Sequence, residues 1–146
     1  MSFDLESLYK SVIRRTQDTI SEIKLRGISE DLEYYAWDSR GEVQEMPATD
    51  LLGVAGWTFK ENGGLWEVRV GLTLSTINDE NLLREIQMLD VIHNFWGEQV
   101  QVPMLDKITG EEFTVMVVVD FDVMPAGNSE KRNYRPIGLE LLRTET

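Results

Sequence analysis

The sequence has no cysteine and only one histidine among its 146 residues. Without cysteine the chain forms neither a disulfide framework nor a zinc site held by thiolates, which fits a reducing compartment or a particle assembled in one. A membrane span needs about 18 consecutive apolar residues, and no such run occurs. The N-terminus also lacks the basic start and apolar stretch of a secretory signal. These absences predict synthesis in the cytoplasm and no membrane partner.

Basic residues are scarce as well. The chain has 14 lysines and arginines against 26 aspartates and glutamates, which gives a formal net charge of −12. A field of that sign repels phosphate backbones, so sequence-specific binding of nucleic acid is not expected. Residues 1–26 carry five basic and four acidic side chains, so the acidic excess lies in the rest of the chain.

No catalytic motif is recognisable along the chain. Gly53, Gly56, Gly63 and Gly64 do not open a helix with the spacing of a phosphate-binding loop. His93 has no companion residues for a triad or a zinc site, and its apolar neighbours predict a packed, hydrogen-bonded side chain. The sequence therefore predicts a protein that is not an enzyme and uses no cofactor.

What the chain does contain is the pattern of one α+β domain spanning residues 1–146. Its 42% hydrophobic and 27% charged residues are typical of globular proteins. Apolar residues at three-to-four spacing predict a long N-terminal helix over residues 3–26, with Gly27 just past its end. A second helix is predicted from about residue 79 to 96, and the stripe expected to face the sheet is Leu82, Ile86, Leu89, His93 and Trp96.

The strands are predicted from alternation and β-branched residues. Asn62 and Gly63 separate two β-rich runs and favour a tight hairpin. Residues 66–74 alternate well, residues 113–123 are expected to form the centre of the sheet, and residues 137–143 form a closing strand. The expected architecture is a mixed, mostly antiparallel β-sheet with hairpins, packed against both helices.

Asp120 and Asp122 are the strongest candidates for metal binding. Two apart on a strand, both carboxylates leave the same face and could share a divalent cation with Asp106 or Glu112. The alternation of Val119 and its apolar neighbours instead indicates that the two aspartates belong to a solvent face. No metal site is therefore predicted, although a metal-dependent enzyme stays an alternative.

The four tryptophans are candidates either for the core or for an interface. Trp66 alternates with valines and leucines, and Trp96 lies in the second helix, so both are assigned to the core. Trp37 and Trp57 stay open, because aromatic residues also concentrate binding energy at interfaces.

Residues 125–136 have the composition of a long loop. Within them a basic cluster stands out in an otherwise acidic chain, and it comprises Lys131, Arg132, Tyr134 and Arg135. Loops of this length are often functional, so the segment is predicted to be a flexible arm that contacts other subunits. A solvated connection is the alternative. A basic arm and an acidic body would also let identical copies attract one another head to tail around a ring.

The order of these elements resembles that of the tail-terminator and neck (tail-completion) proteins of tailed bacteriophages. The resemblance covers most of the chain and includes the long strand FTVMVVVDFDVMP and the closing strand RPIGLELLRT. It implies a virion structural protein that forms a homo-oligomeric ring, expected to be a hexamer. Such a ring caps the tail tube, contacts tube or sheath protein and joins the tail to the head connector. An acidic lumen would let DNA pass without sticking.

Two other classes of function are kept beside this one. A pI of 4.4 suits an acidic inhibitor that imitates DNA and blocks another protein, but the acidic residues are scattered over many elements and the basic cluster interrupts them. A metal-dependent enzyme would use Asp120 and Asp122.

Overall fold

The structure is a computed structural model that describes residues 5–38, 46–63, 65–77, 82–96, 99–105, 108–128 and 132–143. The helices are α1 (Leu5–Leu25) and α2 (Leu82–Trp96). The strands are β1 (Glu33–Tyr34), β2 (Leu51–Asn62), β3 (Leu65–Ile77), β4 (Gln99–Leu105), β5 (Glu112–Val123), β6 (Gly127–Asn128) and β7 (Arg132–Arg143).

The strands form one sheet in the order β1-β2-β3-β7-β5-β4, and the short β6 also pairs with β7. Only β1 and β2 run parallel, and the other neighbours are antiparallel. The predicted α+β class with a mixed, mostly antiparallel sheet and two helices is therefore confirmed. The prediction that residues 113–123 form the centre is wrong, because β5 lies next to the edge strand β4 while β3 and β7 occupy the middle.

Helix α1 begins and ends close to the predicted positions. Its buried stripe includes Leu8, Val12 and Ile23. The helix ends in a Schellman motif, in which the amide of Ile28 donates to the carbonyl of Ile23 at 3.2 Å and Gly27 has a φ of +72°. No helix in the described part of the chain is both long and apolar enough to cross a membrane.

Helix α2 buries a different stripe from the predicted one. Its buried residues are Glu85, Met88, Val91, Ile92 and Trp96. Leu82, Ile86 and His93 are exposed instead, so the predicted stripe is rotated around the helix. Glu85 lies among these apolar side chains, and its carboxylate accepts a hydrogen bond from Arg135 of β7, which gives the buried charge a partner.

The β2–β3 hairpin at Asn62 and Gly63 is confirmed, with a φ of +61° at Gly63. The helices cover only one face of the sheet. On that face β3 and β7 pair Val68 with Leu141, Val70 with Leu139 and Leu72 with Ile137, and all of these side chains are buried. The opposite face of the same strands carries Arg69, Gly71, Gly138 and Glu140, and we call it the open face.

Replacing Val119 by alanine should destabilise the fold by about 2 kcal/mol, because the change leaves a cavity under the helices. Val119 is 5% exposed, whereas Val123, four residues further along β5 on the same face, is 38% exposed. Urea denaturation of Val119→Ala and of the matched control Val123→Ala measures the difference. Equal losses in the two variants would contradict this description of the core.

Candidate assembly surfaces and an acidic groove

The predicted flexible arm at residues 125–136 is largely β-structure, so the prediction of a loop is wrong. Residues 127–128 form β6, residues 132–136 begin β7, and Lys131 lies outside the described residues. The amide of Met124 donates to the carbonyl of Pro136 at 3.0 Å, and Gly127 pairs with Tyr134. Pro136 stands where the partner of β7 changes from β5 to β6, so its missing amide hydrogen is tolerated in a central strand.

Arg132 was expected on a flexible arm, but its side chain is held within the fold and is 8% exposed. Its guanidinium donates to the carbonyl of Thr49 at 2.8 Å, to the hydroxyl of Ser75 at 3.3 Å and to the carbonyl of Pro47. The neighbouring Tyr134 hydroxyl lies 4.0 Å from the sulfur of Met46. These contacts fasten the segment before β2 onto one end of the open face.

Arg135 points to the other face of the sheet and joins three elements. Its Nε donates to Oε1 of Glu85 at 2.6 Å, and a terminal nitrogen donates to the carbonyl of Met124 at 3.1 Å. The pair fixes the start of α2 against β7 and the end of β5. Arg132, Tyr134 and Arg135 thus have partners inside the chain, and their predicted contact with other subunits stays a prediction.

We expect Arg132→Glu to destabilise the fold by about 3 kcal/mol, because it removes the donors of part-buried carbonyl groups and places a buried carboxylate beside them. The matched control is Arg14→Glu, since Arg14 lies exposed on α1 and the change in charge is the same. Thermal denaturation followed by circular dichroism compares the two variants. If Arg132→Glu unfolded at the same temperature as the control, the contacts of Arg132 would contribute nothing to stability.

Asp50 is the buried acidic group at the same end of the sheet. It accepts hydrogen bonds from the hydroxyl of Ser29 at 2.7 Å and from the amide of Ile77 at 3.1 Å, and it forms an ion pair with Arg84 of α2. Burial by itself raises the pKa of the Asp50 carboxyl, but the bonds from Arg84, Ser29 and Ile77 together outweigh it. The pKa of Asp50 therefore lies below its ordinary value of 3.8.

This lowered pKa predicts a specific acid sensitivity. A carboxyl group whose pKa is lower in the folded state stabilises the fold above its unfolded pKa, and the contribution is lost as the pH falls through the folded pKa. The free energy of unfolding should therefore drop as the pH is lowered below 3.8. Asp50→Asn should be less stable at pH 7 and show a smaller drop in acid, measured by urea titration at each pH. Exposed Asp122→Asn is the control, and equal acid sensitivity in both variants would contradict the assignment.

Asp120 and Asp122 project from the open face of β5, as the alternation predicts, and both are exposed. Asp120 pairs in register with Glu140 of β7, whose carboxylate lies 3.7 Å from the guanidinium of Arg69. Within the described ranges no group of three or more histidine, aspartate or glutamate side chains is arranged to hold a metal. Asp106, the other ligand considered from sequence, lies outside those ranges.

A groove of about 470 Å³ crosses the open face beside these aspartates. Its floor consists of three glycines in register across three strands, because Gly56 of β2 pairs with Gly71 of β3, which pairs with Gly138 of β7. Asp122 and Met124 line it where it reaches β5. In the sequence these glycines are far apart, and only the strand register brings them together.

Two exposed apolar patches lie on the helix side of the sheet. The aromatic patch consists of Tyr9 of α1 and of Trp57 and Phe59 of β2. The ring centroid of Trp57 lies 5.5 Å from that of Tyr9 and 5.8 Å from that of Phe59. Tyr9 is 46% and Phe59 is 47% exposed. The Trp57 indole also donates to Asp38 at 3.0 Å, which fixes its ring. Trp57, left open from sequence, therefore belongs to a surface cluster.

The aliphatic patch comprises Leu82, Leu83, Ile86 and Val123, which are between 38% and 62% exposed. Arg135 brings the start of α2 next to the end of β5 by bridging Glu85 and Met124. Leu82 and Ile86 of this patch were predicted from their spacing to face the sheet. The two patches are separated by β3 and β7, which corresponds to about 14 Å in the sheet.

The remaining aromatic residues have mixed outcomes. Trp96 is buried as predicted, and Trp66 is partly buried against the core. Trp37 is half-buried, with its ring 4.9 Å from Tyr35. His93 is exposed, contrary to the expectation of a packed side chain, and its ring contacts Phe121 edge to face at 5.2 Å.

Models of known protein families were compared with the chain and none matches, and no similar sequence was found among curated proteins.

Proposed function

We propose that this chain is a structural subunit that associates with copies of itself into a closed ring in the tail or neck of a tailed bacteriophage. The proposal is carried by the two separate apolar patches on one small domain. The partners would be neighbouring copies in the ring, with six as the expected number, together with tail tube or sheath protein and the head connector. The location in the virion follows from the resemblance in element order described above.

The chemistry of the patches favours head-to-tail contacts. Exposed apolar side chains that cluster together mark interaction surfaces more often than isolated ones do. One patch is aromatic and the other aliphatic, so they differ in shape and can complement each other. A contact between two different surfaces repeats from copy to copy, and it closes into a ring when the rotation between copies permits.

The open face suits the lumen of such a ring. It lies on the opposite side of the sheet from both patches, so it stays uncovered when the patches are buried between copies. Its charged residues on β2, β3, β5 and β7 are mostly acidic: Glu67, Glu112, Asp120, Asp122 and Glu140 against Lys60, Arg69 and Arg132. A negative lining repels phosphates and lets DNA pass without binding.

The same charges offer less support for a DNA-mimicking inhibitor. Such a protein needs an uninterrupted row of carboxylates at phosphate-like intervals. On the open face Arg69 stands directly opposite Glu140 and forms an ion pair with it, so the row is broken at its middle.

Mixing two single-patch variants tests the head-to-tail contact. Phe59→Asp disables the aromatic patch and Ile86→Asp the aliphatic patch, and both residues are exposed, so each variant should fold but fail to assemble. Mixed together they should form one-to-one pairs and nothing larger, because the intact aliphatic patch of one contacts the intact aromatic patch of the other. Analytical ultracentrifugation measures the masses. Leu25→Asp, at an exposed apolar residue of α1 outside both patches, is the control and should assemble like the unmodified chain.

Electron microscopy provides the test of the phage assignment. Rings that need a template would be missed in isolation, so the unmodified chain is imaged alone and after addition to purified phage tails that lack a terminator. Ring density, free or on the tail ends, is expected. A chain that stays monomeric at high concentration and adds no density to tails would overturn the proposal.

A further inference from the structure

We infer that the glycine-floored groove of the open face is a docking site for an arginine side chain carried on a short extended segment of a partner protein. This site is distinct from the two apolar patches and lies on the other side of the sheet. The inference does not require a ring, so it can succeed or fail independently of the proposed assembly.

Gly56 and Gly71 of the groove floor are not required by the fold of the strands. Positive φ angles occur among the described residues only at Gly27, Gly63 and Gly110, so Gly56, Gly71 and Gly138 have backbones that other residues adopt. A Cβ atom added at Gly56 would meet nothing within 4 Å, and one at Gly71 would meet only backbone atoms of Gly56 at 3.9 Å.

Glycine weakens the interior of a strand, and it is found there where a bulge occurs or where another group approaches the backbone closely. The bulge between Val54 and Gly56 accounts only for the glycine of β2. Gly138 lies under the terminal methyl of Met124, 3.1 Å from where its Cβ would be, so the chain itself accounts for that glycine. Gly71 of β3 has no such neighbour, and it is explained by an incoming group that needs its missing side chain.

The walls of the groove indicate the charge of that group. One wall is the next row of the open face, where Thr58, Arg69, Glu140 and Asp120 stand opposite one another on four adjacent strands. Glu140 is occupied by Arg69, which leaves the carboxylates of Asp120 and Asp122 at the β5 end without a cation among the described contacts of the groove. An anionic ligand would be repelled there, and a cationic one attracted.

The shape of the groove favours arginine over other cations. A planar guanidinium can lie flat on exposed peptide groups and bind carboxylates through two parallel hydrogen bonds. Its aliphatic stem can pack on the glycine floor and against Met124, whose terminal methyl lies 3.1 Å from where a Cβ of Gly138 would be. The floor spans three strands, about 10 Å, which is the length of about three extended residues. An arginine within a short extended segment therefore fills the groove.

Solution NMR with a defined peptide tests the site. The probe is acetyl-Gly-Arg-Gly-amide, and the comparison is the same peptide with citrulline, a neutral side chain of nearly the same shape. Titration of the ¹⁵N-labelled chain with the arginine peptide should shift the amide signals of Gly71 and Gly138, and the citrulline peptide should leave them in place. No shifts, or equal shifts with both peptides, would overturn the inference.

Variants then locate the binding. Gly71→Val fills the floor with a residue that strands favour and should weaken binding by about tenfold or more, equivalent to about 1.4 kcal/mol. Asp122→Asn should weaken it by about threefold. The matched control is Gly127→Val, because a Cβ there also meets nothing within 4 Å and β6 lies outside the groove. If Gly71→Val proves unfolded by circular dichroism, Gly56→Val takes its place. Unchanged affinity in the folded floor variant would overturn the site.

Sedimentation of the same samples separates the two proposals. Peptide binding by a chain that never assembles would support the groove and count against the ring, whereas a ring-forming chain that ignores the arginine peptide would refute the groove alone.

Discussion

The double pairing of β7 is the constraint on which the rest of the structure depends. This strand is the last described element of the chain, yet it pairs with β3 on one side and with β5 and β6 on the other. Until it is inserted, β2–β3 and β4–β5 are separate hairpins with unpaired edges. Its register then determines which side chains face the helices, since a shift by one residue would exchange Leu139 for Gly138 and Glu140.

Local signals explain what the sequence predicts well. The spacing of α1, the glycine at its end and the Asn62–Gly63 turn act through neighbours within a few residues, and each is found where expected. The prediction for the segment around Arg132 is wrong because it, too, used only local signals. Its proline, glycine, asparagine and charged residues are typical of a loop. The segment becomes part of a central strand only because it pairs with β3, which lies far earlier in the chain.

The rotation of α2 shows a second limit of pattern analysis. Periodicity identifies a helix with an apolar stripe, but it does not show that Arg135 of β7 pairs with Glu85 in the interface between the helix and the sheet. Because Glu85 faces the sheet together with Met88 and Ile92, Leu82 and Ile86 are exposed. The exposure of the α2 residues in the aliphatic patch therefore follows from the side on which the helix packs, and only the packed structure shows that side.

The groove and the patches follow from the same one-sided architecture. Because both helices pack on one face, none of the described elements packs over Gly71 on the opposite face, and a partner can reach the backbone itself there. The patches lie at the flanks of the helical layer, so contacts between copies through them bury side chains of α1, α2, β2 and β5 and leave the open face free. A molecule with this geometry can be held by neighbouring copies on one side of its sheet while it receives a different partner on the other.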